Sequence, residues 1–89
     1  MELYKPVKST RKYKKYMIKT KKGIVHFGDN RYQHFKDTSP LKLYSNLNHN
    51  DPKRKKNYLS RHHKTTSKTE ALKNTPKTSA KYWATKFLW

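Results

Sequence analysis

The sequence has no cysteine, only two glycines, and five acidic residues among 89. Without cysteine the chain forms no disulfide and no thiolate metal site, so packing or a partner must hold any fold together. No apolar run approaches the length of a membrane-spanning helix or of a signal-peptide core. The acidic residues are scattered singly, which leaves a Mg²⁺ site short of ligands. We therefore expect a soluble intracellular protein with no membrane partner and no cofactor.

Positive charge dominates what is present. Lys and Arg number 23, and the formal net charge is +18. Leu, Ile, Val and Phe together number only 14, and low hydrophobicity with high charge is typical of disordered chains. However, seven Tyr, two Trp and three Phe can bury much area per residue. We expect one small domain that a polyanionic partner completes, while independent folding and disorder stay open.

A basic central helix is the best-defined element. Asp51 can accept hydrogen bonds from the first-turn amides, and Pro52 suits the first helical position. The pattern predicts a helix from Pro52 to about His63. Its apolar stripe is narrow and consists of Tyr58, Leu59 and His62. Such a stripe is too thin to fold alone, so the helix needs an aromatic platform from other segments.

Upstream, the pattern predicts a basic arm followed by a β-hairpin. Residues 1–12 are polar and contain Pro6, which argues against a helix and favours an extended arm along a partner. From Tyr13 to Thr20 apolar and basic residues alternate, 21–23 supply a turn, and 24–27 form a second strand. The segment 28–30 ends that strand.

Three further helical signals flank the central helix. Ser39 followed by Pro40 predicts a short helix to about Leu47. Residues 65–78 are expected to be a polar loop, in which Ser67 and Glu70 form a weak capping box for one or two turns. A last helix, from Ala80 to Leu88, follows a Ser79 cap.

The C-terminal helix carries an aromatic cluster that needs a partner surface. Exposed in a free monomer, this cluster would favour aggregation. We expect it either to lock onto the hairpin and central helix or to anchor the chain in another subunit. The predicted fold is thus small α+β, with a β-hairpin packed by the basic central helix and the C-terminal helix. The hydrophobic anchor consists of Trp83, Phe87, Leu88 and Trp89.

The cationic clusters predict binding to a polyanion through phosphate or carboxylate neutralisation. The alternative is a solvated surface without a partner, whose lysine content is raised by a coding bias of the genome. Ordinary solvated surfaces, however, mix both signs of charge, and this sequence has few anions. Nothing in the sequence specifies base reading. The predicted polyanion-binding residues are Arg11, Lys12, Lys14, Lys15, Lys53, Arg54, Lys55, Lys56, Arg61 and Lys64.

The five histidines are interpreted mainly as packing residues hydrogen-bonded to the backbone. One alternative is zinc binding, a weak motif without cysteine; its ligands would be His26, His34 and His62. Another alternative is a metal-dependent nuclease, suggested by the order His49, Asn57, His63. In such a site the asparagine lies in a loop, whereas Asn57 falls inside the predicted helix, which argues against this alternative.

Residues 13–89 resemble a family of short basic proteins of giant, nucleocytoplasmic large DNA viruses. Ala84 and the doubled His62-His63 depart from the family's pattern. The residues that carry the resemblance are the stretch Ile24-Val25-His26-Phe27-Gly28-Asp29, the stretch Tyr32-Gln33-His34-Phe35-Lys36-Asp37, Asp51 with the helix Arg54-Lys55-Lys56-Asn57-Tyr58-Leu59-Ser60-Arg61-His62, and the terminus Ala80-Lys81-Tyr82-Trp83-Ala84 leading to Leu88-Trp89.

The resemblance implies a viral origin and no particular chemistry. With it, we expect a non-enzymatic, virion-associated structural protein at the capsid interior or at capsid-subunit interfaces, a minor capsid or cement protein. It would reach the virion from the host cytoplasm or a viral factory. Its partners would be virion proteins with acidic surfaces, with no small-molecule substrate. The alternative is sequence-nonspecific binding of double-stranded DNA during genome packaging.

Overall fold

The structure, a computed structural model, describes residues 2–89. Within that range, three antiparallel strands form a sheet in the order β1-β2-β3, and three α-helices follow. The confirmed fold class is therefore α+β. The strands are β1 (Val7–Lys8), β2 (Lys14–Thr20) and β3 (Gly23–Asp29), and the helices are α1 (Pro52–His63), α2 (Lys68–Lys73) and α3 (Ala80–Leu88). None of these helices is long and apolar enough to cross a membrane.

The predicted hairpin is confirmed as β2 and β3. Tyr16 pairs with Phe27 and Ile18 with Val25, and the turn closes where Thr20 faces Gly23. Tyr16, Ile18 and Thr20 are all buried, as the two-residue period of a strand requires for residues on one face. The alternation in the sequence thus sets the register of the sheet.

The N-terminal segment adds a third strand to this hairpin, where the sequence suggested an arm lying on a partner. Val7 pairs with Met17, and the amide of Tyr4 donates to the carbonyl of Lys19 at 2.9 Å. The Tyr4 ring lies 5.5 Å from the ring of Trp83. The unpaired edge of β2 and an aromatic partner on α3 therefore draw this segment onto its own domain.

All three α-helices begin at predicted caps. Asp51 accepts hydrogen bonds from the amides at the start of α1, Ser67 accepts one from Glu70, and Ser79 accepts one from Lys81. The central and C-terminal helices are confirmed, and α2 corresponds to the weak capping box inside the predicted polar loop. Helix α1 ends at His63, and the following residue, Lys64, adopts a left-handed conformation with φ of 57°.

The predicted helix from Pro40 to Leu47 was wrong. Only Ser45–Leu47 form a single 3₁₀ turn. The hydroxyl of Ser39 donates to the buried carboxylate of Asp37 at 2.6 Å and accepts the amide of Lys42 at 3.2 Å, as a helix cap would, but no helix follows. Lys42 has a φ of 49°, which interrupts any right-handed helix at this point.

The core lies between the sheet and α3. Phe87 stacks on Phe27 of β3, with ring centroids 6.2 Å apart, and on Trp83 at 5.8 Å. The aromatic terminus therefore packs within its own chain, onto the hairpin. The buried members of this core are Tyr16, Ile18, Phe27, Tyr82, Trp83 and Leu88.

Candidate functional site

A cavity of about 570 Å³ lies between the end of the hairpin, α1 and the C-terminus. Its volume falls within the range of about 300–1,000 Å³ that is usual for small-molecule sites. It combines cations, amides and aromatic rings. The residues that line it include Lys14, Lys15, Gly28, Asp29, Tyr32, Gln33, Arg54, Asn57, Tyr58, Arg61, His62, Leu88 and Trp89.

Helix α1 presents one face to this cavity. Positions 54, 57, 58, 61 and 62 recur at helical spacing, so their side chains share one side of the helix. Leu59, which is 2% exposed, is the one residue of α1 that is fully buried. The cations at positions 53 and 56 are exposed and do not line the cavity. The helix therefore has one cationic face inside the cavity and another outside it.

Gly28 allows the floor of the cavity to close. Its φ is 76°, and a Cβ at this position would lie 2.8 Å from Leu88 Cδ1 and 3.0 Å from Lys15 Cδ. Only glycine adopts this conformation readily and leaves space for both neighbours. The close approach brings the C-terminal end of α3 onto the hairpin and places Trp89 beside α1.

An aromatic wall lines one side. The rings of Trp89 and Tyr58 are stacked, with centroids 4.3 Å apart and an interplanar angle of 4°. Tyr58 is further positioned by its hydroxyl, which lies 3.3 Å from Thr85 Oγ1. Tyr32 also lines the cavity and is 65% exposed. An exposed tyrosine beside a stacked pair offers apolar ring surface to a planar ligand.

The electrostatic balance of the cavity is strongly positive. Its carboxylate, Asp29, is engaged by Arg31, whose Nη2 and Nε donate to it at 2.7 and 3.0 Å. This hydrogen bonding, together with the Arg31 charge, lowers the pKa of Asp29 to about 2 against a smaller opposing effect of desolvation. Arg54 donates only to a neutral group, Gln33 Oε1, at 3.0 Å. Within residues 2–89, Lys14, Arg54 and Arg61 form no ion pair.

Lys15 supports the cavity from below. It is 2% exposed, and its Nζ donates to the carbonyl of Tyr32 at 3.0 Å and lies 2.7 Å from His34 Nδ1. Burial lowers the pKa of Lys15 to about 8, against the attraction of Asp29 and Asp37. Lys15 was predicted as a surface cation for a polyanion, and the structure instead buries it as a positioning group.

The protonation of His34 follows from its neighbours. Its Nε2 lies 2.6 Å from Asn48 Oδ1, an oxygen that also accepts the amide of Asp37 at 2.8 Å. Because that oxygen is an acceptor, His34 carries its proton on Nε2, and Nδ1 accepts from Lys15. Burial, followed by the charge of Lys15, lowers the pKa of His34. A neutral imidazole therefore links the cavity floor to the loop before α1.

The other predicted cations lie outside the cavity. Lys55 covers the ring of Phe35, with Nζ 4.6 Å from the centroid, and Lys12 lies 4.9 Å from the ring of Tyr13. The structure therefore brings together four of the ten predicted cations, those at positions 14, 15, 54 and 61. The remaining exposed ones spread over other surfaces of the domain, namely Arg11, Lys12, Lys53, Lys56 and Lys64.

The histidines have hydrogen-bond or ring partners in separate places. His26 Nδ1 lies 2.7 Å from Ser9 Oγ, and His63 Nε2 lies 2.7 Å from Thr85 Oγ1. His62 lies against Tyr58, with ring centroids 4.5 Å apart, and His49 lies between the rings of Phe35 and Trp89. Across residues 2–89, no three His, Asp or Glu side chains come together as metal ligands.

Sequence reasoning missed the neutral part of this site. Tyr58 was assigned to the apolar stripe of α1, Asn57 was considered only for the nuclease alternative, and Tyr32 and Gln33 were given no role. The signal that could have found Asn57 and Tyr58 is the mixed face of α1, where an amide and an aromatic ring lie between two arginines. The partners across the cavity, including Trp89, carry no such local signal.

No protein-family model, curated protein or solved structure matches this chain. Three stretches that are far apart in the sequence meet at the cavity. They are the end of β3 with Gly28 and Asp29, the α1 face with Arg54, Tyr58, Arg61 and His62, and the terminal Leu88 and Trp89.

Proposed function

We propose that this protein is a non-enzymatic nucleic-acid-binding protein that holds the phosphate backbone electrostatically and without sequence preference. The observation that carries the proposal is the cavity itself, which Arg54 and Arg61 line together with Tyr32 and the stacked pair of Tyr58 and Trp89. Cations alone fit any polyanion. Cations beside the exposed ring of Tyr32 fit a nucleic-acid strand, because phosphates and bases alternate along it, whereas a duplex backbone needs only the cations.

The overall charge supports the same reading. Within residues 2–89, two ion pairs are present, Lys5 with Glu2 and Arg31 with Asp29. All but two of the 23 Lys and Arg residues therefore have no carboxylate partner. Neutralising several phosphates with these side chains releases condensed counterions, which drives binding at low salt. Exposed cations outside the cavity would extend the contact along the backbone.

A minor capsid or cement protein stays a prediction, as does the viral origin. That role was favoured by a basic arm and by an aromatic terminus without a partner. In the structure the first pairs with β2 and the second packs on the hairpin and on Tyr58. An acidic protein surface therefore becomes the competing polyanion to be tested beside DNA.

The test is fluorescence anisotropy with two labelled duplexes of unrelated sequence over a salt series. We expect equal affinity for both, and a linear fall of log affinity with log salt whose slope is about −0.9 per phosphate contacted. Poly-L-glutamate at the same charge concentration serves as the competing polyanion. Binding to poly-L-glutamate with none to either duplex at low salt would overturn the proposal and favour the capsid role.

A further inference from the structure

The cavity contains aromatic rings and amides that binding to a duplex backbone does not require. A duplex backbone can be held by convex surfaces such as the outer face of α1, where Lys53 and Lys56 are exposed. A concave site lined by aromatic rings and amides adds nothing to that contact, because stacked base pairs expose no ring faces along the duplex. The shape of the cavity therefore points to a ligand that is smaller than a duplex.

The lining matches the parts of one nucleoside phosphate. Arg61 and Lys14 make no side-chain hydrogen bond within residues 2–89 and can donate to phosphate oxygens. Asn57 and Gln33 supply amide donors and acceptors, which a base edge can use. Tyr32, which is 65% exposed, supplies a ring face for stacking.

Hydrogen bonds hold the floor of the cavity beneath Tyr32. Lys15 holds the carbonyl of Tyr32 at 3.0 Å and is itself held at His34. The backbone that carries the exposed ring is thus fixed before a ligand arrives, which reduces the ordering cost of binding. The buried ammonium also adds positive charge beneath the site when protonated.

We propose that the cavity binds one unpaired nucleoside phosphate, with its phosphate on Arg54, Arg61 and Lys14 and its base against the aromatic wall. The ligand comes either from a single strand or from a free nucleotide, and the two share this chemistry. The inference rests on the proposed function and deepens it, since it makes the protein a binder of unpaired as well as paired nucleic acid.

The first experiment uses Trp89 as the reporter. Trp89 lines the cavity, whereas Trp83 is 2% exposed in the core. Titration with a nucleoside 5′-monophosphate at fixed ionic strength is expected to quench tryptophan fluorescence saturably, and Trp89→Phe is expected to abolish that change. Ribose 5-phosphate, which lacks the base, is expected to bind about tenfold more weakly or worse. Equal binding of both ligands, or unchanged quenching in Trp89→Phe, would overturn the inference.

The second experiment compares two double variants of α1. Arg54→Gln/Arg61→Gln removes two cations from the cavity, and Lys53→Gln/Lys56→Gln removes two exposed cations outside it. Both are expected to weaken duplex binding similarly. Only the cavity variant is expected to lose about tenfold more on single-stranded DNA. If both variants lose the same affinity for the single strand, while the unchanged protein still binds duplex, the inference is overturned and the proposed function stands.

A competition experiment distinguishes a nucleotide within a single strand from a free nucleotide. Displacement of labelled single-stranded DNA from the cavity by excess mononucleotide supports a strand-bound ligand. If the mononucleotide quenches tryptophan fluorescence but does not displace the single-stranded DNA, the ligand of the cavity is a free nucleotide. Absence of binding to duplex, single strand and nucleotide alike would overturn both proposals together.

Discussion

Trp89, the last residue, stacks on Tyr58 in the middle of α1, with ring planes only 4° apart. The two residues are 31 positions apart in the sequence, and the helix α3 to which Trp89 is attached packs on the sheet. This stack therefore connects the C-terminus to α1 and forms a wall of the candidate cavity. A single aromatic contact thus serves both the fold and the site.

Replacing Trp89 by alanine removes this stack. We expect a loss of about 2 kcal/mol in the free energy of unfolding, because the residue is partly exposed and the ring pair adds about 0.5–1.5 kcal/mol to its burial. Trp83→Ala, in the core, is expected to cost about 3–5 kcal/mol. Urea unfolding followed by circular dichroism measures both. A smaller loss for Trp83 than for Trp89 would contradict the assigned positions.

Gly28→Ala is expected to be more costly than Gly23→Ala. Both glycines have positive φ, 76° and 122°, so both substitutions carry backbone strain of about 1–2 kcal/mol. Only at Gly28 does the added methyl meet Leu88 and Lys15, and overpacking adds about 1–3 kcal/mol. Equal unfolding free energies for the two variants would show that the floor of the cavity is not closely packed.

Asp37→Asn tests the buried carboxylate that organises residues 37–44. Asp37 accepts hydrogen bonds from the Tyr16 and Ser39 hydroxyls and from the amides of Ser39 and Tyr44. Burial acts to raise the pKa of Asp37, but these hydrogen bonds outweigh it and lower the pKa. An asparagine would turn an NH₂ group toward these donors, at a cost of about 3 kcal/mol.

Asp51→Asn is the matched control for that change. Asp51 caps α1, and asparagine caps a helix about as well as aspartate. We therefore expect a change of no more than about 0.5 kcal/mol in the same urea experiment. A loss at Asp51 as large as that at Asp37 would mean that carboxylate charge in general, and not the buried hydrogen bonds, stabilises the fold.

Stability is expected to fall as pH falls below about 6.5. Burial lowers the pKa of His34 from its ordinary value of 6.5, so below that pH the unfolded chain binds a proton that the folded chain excludes. The contribution is fully present above pH 6.5 and is lost at up to about 1.4 kcal/mol per pH unit until the folded-state pKa is reached. Burial lowers the pKa of the other four histidines too, in the same direction.

Melting temperatures between pH 8 and pH 5 measure this loss, with His34→Gln as the comparison. The variant is less stable at pH 8, because Lys15 loses its acceptor, but its stability is expected to depend less steeply on pH. A pH dependence as steep as that of the unchanged protein would exclude His34 as a source of the acid sensitivity.

The elements that the sequence predicted well are those with local signals. Asp51 and Pro52 define the start of α1 through hydrogen bonds and dihedral angles within one turn, and the alternation around Tyr16 defines the hairpin within a few residues. The same local logic failed at Ser39, although its hydroxyl accepts the amide of Lys42 as a helix cap would. The next two amides, of Leu43 and Tyr44, donate to the buried side chains of Tyr16 and Asp37. A cap signal is overridden when buried groups bind the amides of the turn that follows it.

The candidate site could be predicted only in part for the same reason. Arg54 and Arg61 were identified from charge density alone. That Lys15 is buried follows from His34 and Tyr32, nearly 20 positions away in the sequence, and no periodicity in the sequence reports such a contact. The pairing of Tyr58 with Trp89 is equally remote from any local pattern.

The sequence by itself determined the excess of positive charge, the starts of the three α-helices and the position of the hairpin, because these depend on composition or on interactions within a few residues. The tertiary structure alone decided which cations share a cavity, which lysine is buried and which aromatic rings remain accessible. Those properties arise from contacts between residues far apart in the chain, and burial is a property of the packed molecule and not of any segment.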